Sequence, residues 1–414
     1  MVSRCMLEKC RFCSSSRIDL FLDLGQMPLV NSLLAEQQLE IPEPKYPLSL
    51  VFCSDCCLVQ LGEIVPPESL FSEYLYFSSF SEEMVEQARQ ISEKLIQKRN
   101  LTNQSLVVEI ASNDGYLLQW YQKSGIPILG IEPAQNIAKI AQEEKKIPTI
   151  VEFFGIDLGI RLRKEGKLAD VIHANNVMAH VPDMNGFIRG IGQLIKPGGL
   201  AVIEVPYVID MIDKCEFDTI YHEHVFYFSV TALDRIFKKH DLLLSHVDRI
   251  KLHGGSLRLF VIPMHSRVKQ EKSVLDLIKQ ESEIGANQLS YYKELASKIS
   301  TFQEKLLEKL VGLKKQGKSI AAYGASAKGC ILLNSFGIGK ETIDFVVDKN
   351  IYKQGKLMPG VHIPIKQPSE LLEKKPDYVL LLTWNFADEI LAQQAEYRRL
   401  GGKFIIPQAN PYEV

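Results

Sequence analysis

A multidomain α/β fold follows from three features of the sequence. Six of the eight cysteines (Cys5, Cys10, Cys13, Cys53, Cys56 and Cys57) crowd the amino-terminal end, leaving Cys215 and Cys330 alone. Compact apolar runs alternate with helix-like stretches from Leu106 onward, which implies a parallel sheet covered on both faces. A second, shorter alternation begins at Ser319, after a charged helical stretch. The expected architecture is a small zinc-binding domain, a Rossmann-like central domain and a carboxy-terminal doubly wound α/β domain.

Length and composition agree with several domains. At roughly 150 residues per domain, 414 residues make two or three, and 46% hydrophobic residues supply their cores. A formal charge of -2 argues against general nucleic-acid binding, which shows a basic excess. No apolar run approaches the ~18–20 residues that span a bilayer. The opening "MVSRCMLEKCRFC" has no apolar signal-peptide core. The expectation is a soluble cytoplasmic protein with neither nucleic-acid nor membrane partners.

Residues 1–98 are read as the zinc-binding domain with a helical extension. Cys10-Arg-Phe-Cys13 and Cys53-Ser-Asp-Cys56 are two CxxC knuckles. Each presents two thiolates to one metal, and together they complete a tetrahedral four-cysteine site suited to structural Zn2+, with no open position for catalysis. The bland alternative is reduced thiols that meet by chance. A loop-rich domain with few core residues needs such a staple, since zinc contributes ~10–16 kcal/mol to folding. Cys57 and Cys5 are off the pattern and are read as non-ligands. In "SEEMVEQARQISEKLIQKRN", the spacing of Met84, Ala88, Ile91 and Leu95 predicts an amphipathic helix.

Residues 99–265 carry the first alternation: "LVVEI", "PILGIE", "ADVIHA" and "LAVIEV" are strands, and "LLLSHVDRI" with "SLRLFVI" reads as a terminal antiparallel pair. "VVEIASNDGYLL" is a strand, a tight polar turn and a helix start, with Gly115 its one glycine. Glu132 ends the next strand, where an acid suits ribose hydroxyls. The order of polar loop, acid, Asn-rich strand end and "KPGG" resembles class I S-adenosylmethionine-dependent methyltransferases. The cofactor contacts so expected are Ala111, Asn113, Gly115, Tyr116, Leu117, Glu132, Pro133, Asn175 and Asn176. A nicotinamide cofactor is the rival, but pyrophosphate favours more glycines in that first turn. His173 and Met178 are read as core.

After the fifth strand comes "TIYHEHVFYFS" (219–229). Ligands of open α/β sheets sit beyond the carboxyl ends of strands, so this stretch is well placed for a site. Ser229 is a candidate N-cap for "VTALDRIFKKH", which puts the preceding residues in a turn. In a turn Tyr221 and His224 share one cavity; in a strand His222 and His224 would share a face. A metal held by His222 and His224 lacks a third ligand. Phe226 and Phe228 suit a plain aromatic core.

Residues 266–318 are read as a helical connector. Tyr292, Leu295, Ile299, Phe302, Leu306, Leu310 and Leu313 form one apolar stripe, either docked within the chain or serving as a dimer seam. In residues 319–414, "AAYGASAKG" opens a helix after a strand; N–H groups at a helix start favour phosphate, and Lys328 adds charge. Asp348 ends the next strand. Tyr323, Ser326, Lys328, Asp348, Lys353, Trp384 and Asn385 are candidate nucleotide contacts, and a nicotinamide also fits this loop locally.

With these segments in view, the chain resembles the sugar C-methyltransferases that act on nucleotide-linked 4-keto-deoxysugars. The matching segments include "CRFC…CSDCC", "LGQMPLVNSL", "YLYFSS", "VVEIASNDGYLL", "YHEHVFYFS", "HGGSLR" and "AAYGASAKG", in order over nearly the whole chain. The resemblance implies structural zinc, S-adenosylmethionine and a nucleotide-diphosphate 4-keto-6-deoxysugar, commonly thymidine-linked, methylated at carbon 3. It makes His224 the general base that forms an enolate. Tyr221 and His180 would donate to or position the oxyanion, Glu223 would orient the base or bind a sugar substituent, and Tyr76 would close the site. His253, Gly254, Gly255 and Ser256 would approach the substrate or form a plain turn. Methylation of oxygen or nitrogen in a small metabolite, and a non-catalytic zinc-ribbon binding protein, are the competing readings. Extensive inter-domain contacts are expected, compatible with a monomer, with a dimer as the alternative.

Overall fold

The computed structural model describes residues 7–66, 70, 77–250, 254–266 and 268–414. Among these residues the strands make three sheets. The first runs antiparallel in the order β1 (Ile18–Pro28), β2 (Lys45–Cys53), β3 (Val59–Leu61) and β9 (Phe226–Tyr227). Its last strand comes from the histidine stretch, far along the chain.

The central sheet contains β4 (Val107–Ile110), β5 (Ile128–Ile131), β6 (Thr149–Ile150), β7 (Ala169–Asn175), β8 (Ile195–Pro206), β10 (Leu242–Ile250) and β11 (Ser256–Pro263), in the order β10-β11-β8-β7-β4-β5-β6. Strands β4 to β8 pair in parallel, and β11 enters antiparallel beside both β8 and β10. Val107, Val108, Glu109 and Ile110 are all buried, as a strand covered on both faces requires. The strand order reverses between β4 and β7, so a crevice opens beyond their carboxyl ends.

The third sheet is β14 (Ile365–Lys366), β13 (Val346–Val347), β12 (Ile320–Tyr323), β15 (Tyr378–Leu381), β16 (Lys403–Ile406) and β17 (Tyr412–Glu413), parallel except for β17. Order on both sides of β12 makes it doubly wound.

Two long helices pack against these layers. Helix Glu82–Arg99 starts at a Ser81 N-cap and stops at left-handed Asn100. Grouped by sequence with the amino-terminal domain, it buries Met84, Ala88, Ile91 and Leu95 in the core beside Val107, Leu117 and Tyr121 of the central domain. Helix Leu289–Lys315 buries its whole predicted stripe within the chain. Tyr292 stacks on Phe52 of β2 at 4.8 Å, and Phe302 meets Phe336 edge-on at 5.2 Å. The stripe is therefore a docked spine between the first and third layers. Among the described residues no helix is long and apolar enough to cross a membrane.

Candidate active site

The four knuckle thiols converge. Their sulfurs lie within 4.8 Å of one another, with Cys10–Cys56 and Cys13–Cys53 each at 3.6 Å. Tetrahedral thiolates about 2.3 Å from zinc stand about 3.8 Å apart, so the donor set fits that ion. Both knuckles close the same way. Ser14 N–H donates to the Cys10 carbonyl and Cys57 N–H to the Cys53 carbonyl, and both closing residues have positive φ, 64° and 63°. Cys57 thus occupies the turn-closing position, and its sulfur faces Arg235 instead of the metal. Hydrogen bonds from the neighbouring thiols hold the Cys10 thiolate far below the ordinary thiol range, while burial raises Cys13 to about 11. A dication supplies the charge needed to ionise all four.

A cavity of about 690 Å³ opens at the crevice of the central sheet and is walled by all three layers. On the side formed by the central sheet are Ala111, Asn113, Tyr116, Glu132, Pro133, Asn175 and Asn176. Ala111, Asn113 and Asn176 adopt left-handed φ of 55°, 49° and 53°, which folds the strand ends into a concave rim. Glu132 accepts the Asn113 and Ala134 N–H groups, both at 2.9 Å, and burial raises its carboxyl to about 7. Asn175 Oδ1 is a buried acceptor with no protein partner among the described residues, which suits a donor-bearing ligand. The rim fits S-adenosylmethionine.

Gly115 and Leu117 lie off this wall. A Cβ at Gly115, where φ is +77°, would stand 2.1 Å from Ile147 Cδ1, and Leu117 is fully buried in the adjoining core. Both shape the turn from behind. His173 is core, bonded to the Tyr121 hydroxyl at 2.8 Å.

The histidine stretch meets the cavity as a turn: His224 N–H donates to the Tyr221 carbonyl. Tyr221, Glu223 and His224 line the cavity; His222 turns away to the Tyr46 carbonyl at 3.3 Å. Around His224, the Thr219 carbonyl lies 2.9 Å from Nδ1 and the Tyr221 hydroxyl 2.8 Å from Nε2. A carbonyl only accepts, so Nδ1 carries the proton and the Nε2 lone pair faces Tyr221. His180 sits edge-on, 4.7 Å between ring centroids, and burial lowers it to about 4, so it is neutral. Burial raises Glu223 to about 7, and Asn31 of the first layer donates to its Oε1 at 2.6 Å.

On the third side, Tyr323, Ser326, Lys328, Asp348, Lys353 and Asn385 line the cavity. Ser326 caps helix Ala327–Phe336 by accepting Gly329 N–H. Asp348 accepts Ala325 N–H at 2.8 Å, and Lys353 Nζ donates to the Ala325 carbonyl at 2.7 Å. Trp384 lies behind the wall, with Lys328 Nζ 4.4 Å over its ring. Gly254, Gly255 and Ser256 are also off the wall. Cβ atoms on the two glycines would strike the Glu216 and Asp210 carboxylates at 2.4 and 2.2 Å, so this turn packs on helix Val208–Lys214. Tyr76 and His253 lie outside the described residues. Sequence reasoning missed Asn31 and Thr219. Asn31 stands within "LGQMPLVNSL", but nothing local says that this loop reaches Glu223; Thr219 acts through its backbone, which side-chain patterns do not report.

Comparison with known proteins bears on this arrangement. A zinc binding domain model matches residues 10–71, a methyltransferase domain model residues 80–247, and a C-methyltransferase C-terminal domain model residues 251–408. The C-methyltransferase NovU of Streptomyces niveus is 32% identical over 405 residues, spanning 98% of this chain and 96% of that protein. The chain belongs to the C-methyltransferase family. As a C-methyltransferase it uses S-adenosylmethionine and a structural zinc ion. A ubiquinone biosynthesis O-methyltransferase of Acinetobacter baylyi is 24% identical over 137 residues, 29% of this chain and 56% of that protein. Magnesium protoporphyrin IX methyltransferase from Synechocystis PCC 6803, solved with bound SAM, aligns over 43% of this C-methyltransferase and 79% of its own chain, at 12% identity and a TM-score of 0.34.

Proposed function

We propose that this C-methyltransferase acts on a nucleotide-diphosphate 4-keto-6-deoxysugar, with thymidine as the nucleoside, and methylates carbon 3 through an enolate formed by His224. The observation that carries the reading is the state of the imidazole: Nδ1–H is committed to the Thr219 carbonyl, which leaves the Nε2 lone pair toward the cavity side that holds Tyr221.

A carbon beside a ketone is acidic enough for a histidine once the enolate oxygen is stabilised. The proton passes from carbon 3 to Nε2, and the C–H electron pair becomes the enolate. The Tyr221 hydroxyl turns from Nε2 to the ketone oxygen as substrate enters, and neutral His180 positions it. Glu223, held by Asn31, orients the base or takes a sugar substituent. S-adenosylmethionine supplies a methyl group on an activated sulfonium, so the reaction needs no catalytic metal. Lys328, Lys353 and the start of helix Ala327–Phe336 form the cationic side of the cavity, suited to a diphosphate.

The test is incubation of the zinc-loaded protein with methyl-labelled S-adenosylmethionine and thymidine-diphospho-4-keto-6-deoxyglucose, alongside its 2-deoxy and 3-amino relatives, in deuterated solvent. Gain of one methyl at carbon 3, with solvent exchange there, is expected. Saturable methyl transfer to oxygen or nitrogen, or none with any nucleotide-linked ketosugar, would overturn the reading.

A further inference from the structure

The carboxy-terminal layer that carries the lysines also touches the turn that precedes His224. The 3-10 turn Phe217–Thr219 precedes the histidine stretch. Its first residue, Phe217, stacks on Phe336 of helix Ala327–Phe336, with centroids 5.0 Å apart and planes 23° apart. Its second, Asp218, is buried and accepts the Trp384 indole N–H at 2.7 Å. Its third, Thr219, gives both its N–H and its hydroxyl to the Glu216 carbonyl, at 3.1 and 2.7 Å. That leaves the Thr219 carbonyl aimed at His224 Nδ1.

We infer that Asp218 and Trp384 are positioning residues for His224, acting through this turn. The inference rests on the reading of His224 as base. A buried carboxylate bonded to an indole is by itself ordinary packing. Here, however, the bonded residue is the immediate neighbour of the carbonyl that sets the imidazole tautomer. A turn of three residues has little freedom to shift one member without the next. Loss of the indole bond takes one donor from a buried carboxylate and lets the turn move to find another. The same indole presents its face to Lys328 and its edge to Asp218. One side chain of the carboxy-terminal domain therefore supports the lysine on the cavity wall and holds the tautomer-setting turn. The domain positions the base as well as lining the cavity.

Trp384→Phe deletes the N–H and keeps the ring under Lys328. With zinc-loaded, full-length protein, kcat for methyl transfer and the rate of deuterium wash-in at the sugar carbon should both fall roughly tenfold, with KM for the sugar nucleotide changed less than about twofold. Asp218→Ala should fall alike, Asp218→Asn should recover most of the rate because an acceptor remains, and the Trp384→Phe/Asp218→Ala double variant should be no slower than the slower single one. Thermal melting and S-adenosylmethionine binding show that each variant is folded; should Asp218→Ala fail to fold, Trp384→Phe against Asp218→Asn decides alone. Wild-type exchange in Trp384→Phe, a loss confined to KM, or additive losses in the double variant would overturn the inference. Wild-type exchange in His224→Gln would bring down the base reading and this inference together. Abolished exchange in His224→Gln with intact exchange in Trp384→Phe would remove this inference alone.

Discussion

Gln60 donates its side-chain amide to Cys10 Sγ at 3.2 Å. Through its backbone the same residue pairs with Phe226, two positions beyond His224. One strand thus joins the metal ligands to the histidine turn. Cys56→Ser should therefore release zinc and slow methyl transfer by about a hundredfold or more, while S-adenosylmethionine affinity, set by the central sheet, changes less than about threefold. Metal content, turnover and calorimetric binding on one preparation check this. Equal losses of turnover and cofactor affinity would mean that the damage is general unfolding.

His224→Gln keeps a polar side chain of similar reach and a donor near Thr219 but removes the Nε2 lone pair. Methyl transfer should fall by about 10²–10⁴-fold and exchange of the sugar proton should vanish, with binding of both ligands preserved. Rapid-quench turnover and proton NMR of the sugar carbon measure the two.

Glu223 gives a prediction about pH. Burial raises its folded pKa to about 7 from an ordinary 4.5. Between those values the unfolded chain sheds the proton and the folded one keeps it, so this group's contribution to stability declines as pH rises and levels off above about 7. Glu223→Gln removes the titration. Relative to wild type, its melting temperature should climb from pH 5 to pH 8, by an amount equivalent to at most about 3 kcal/mol. A pH-independent difference would refute the placement of Glu223 in a dry site.

Gly115→Ala tests whether that glycine serves the turn or the ligand. Left-handed φ and the clash with Ile147 predict a loss of about 1–3 kcal/mol in the ligand-free protein. Urea unfolding without S-adenosylmethionine reports it. Unchanged stability with weakened cofactor binding would reassign Gly115 to the cavity wall.

Much of this was legible in the sequence because it is local. CxxC spacing fixes where two sulfurs sit relative to one backbone, and the alternation of apolar runs with helices encodes the parallel sheets. A separation of three residues in a turn brought Tyr221 and His224 together. What escaped depends on long-range encounters. Asn31 meets Glu223, and Trp384 meets Asp218, only because separate layers close on one another, and no periodicity encodes that. Gly254 and Gly255 were readable either as a ligand approach or as a plain turn. Glycine marks close approach, but the approaching groups are the protein's own Glu216 and Asp210. Strands as short as β9 and β13 carry too few residues to show a pattern.

The pairing of β3 with β9 also bears on biosynthesis. On a ribosome, β3 emerges and waits with a bare edge until Phe226 has been translated, by which time most of the central sheet has been made. During that interval the zinc knuckles can already be loaded, but the amino-terminal sheet is unfinished, and its open side offers unpaired N–H and C=O groups to any neighbouring nascent chain. Contacts so distant in sequence also form slowly. A fragment cut before the histidine stretch would keep that edge permanently and self-associate, so the same short strand that anchors the histidine turn also seals the first domain against aggregation.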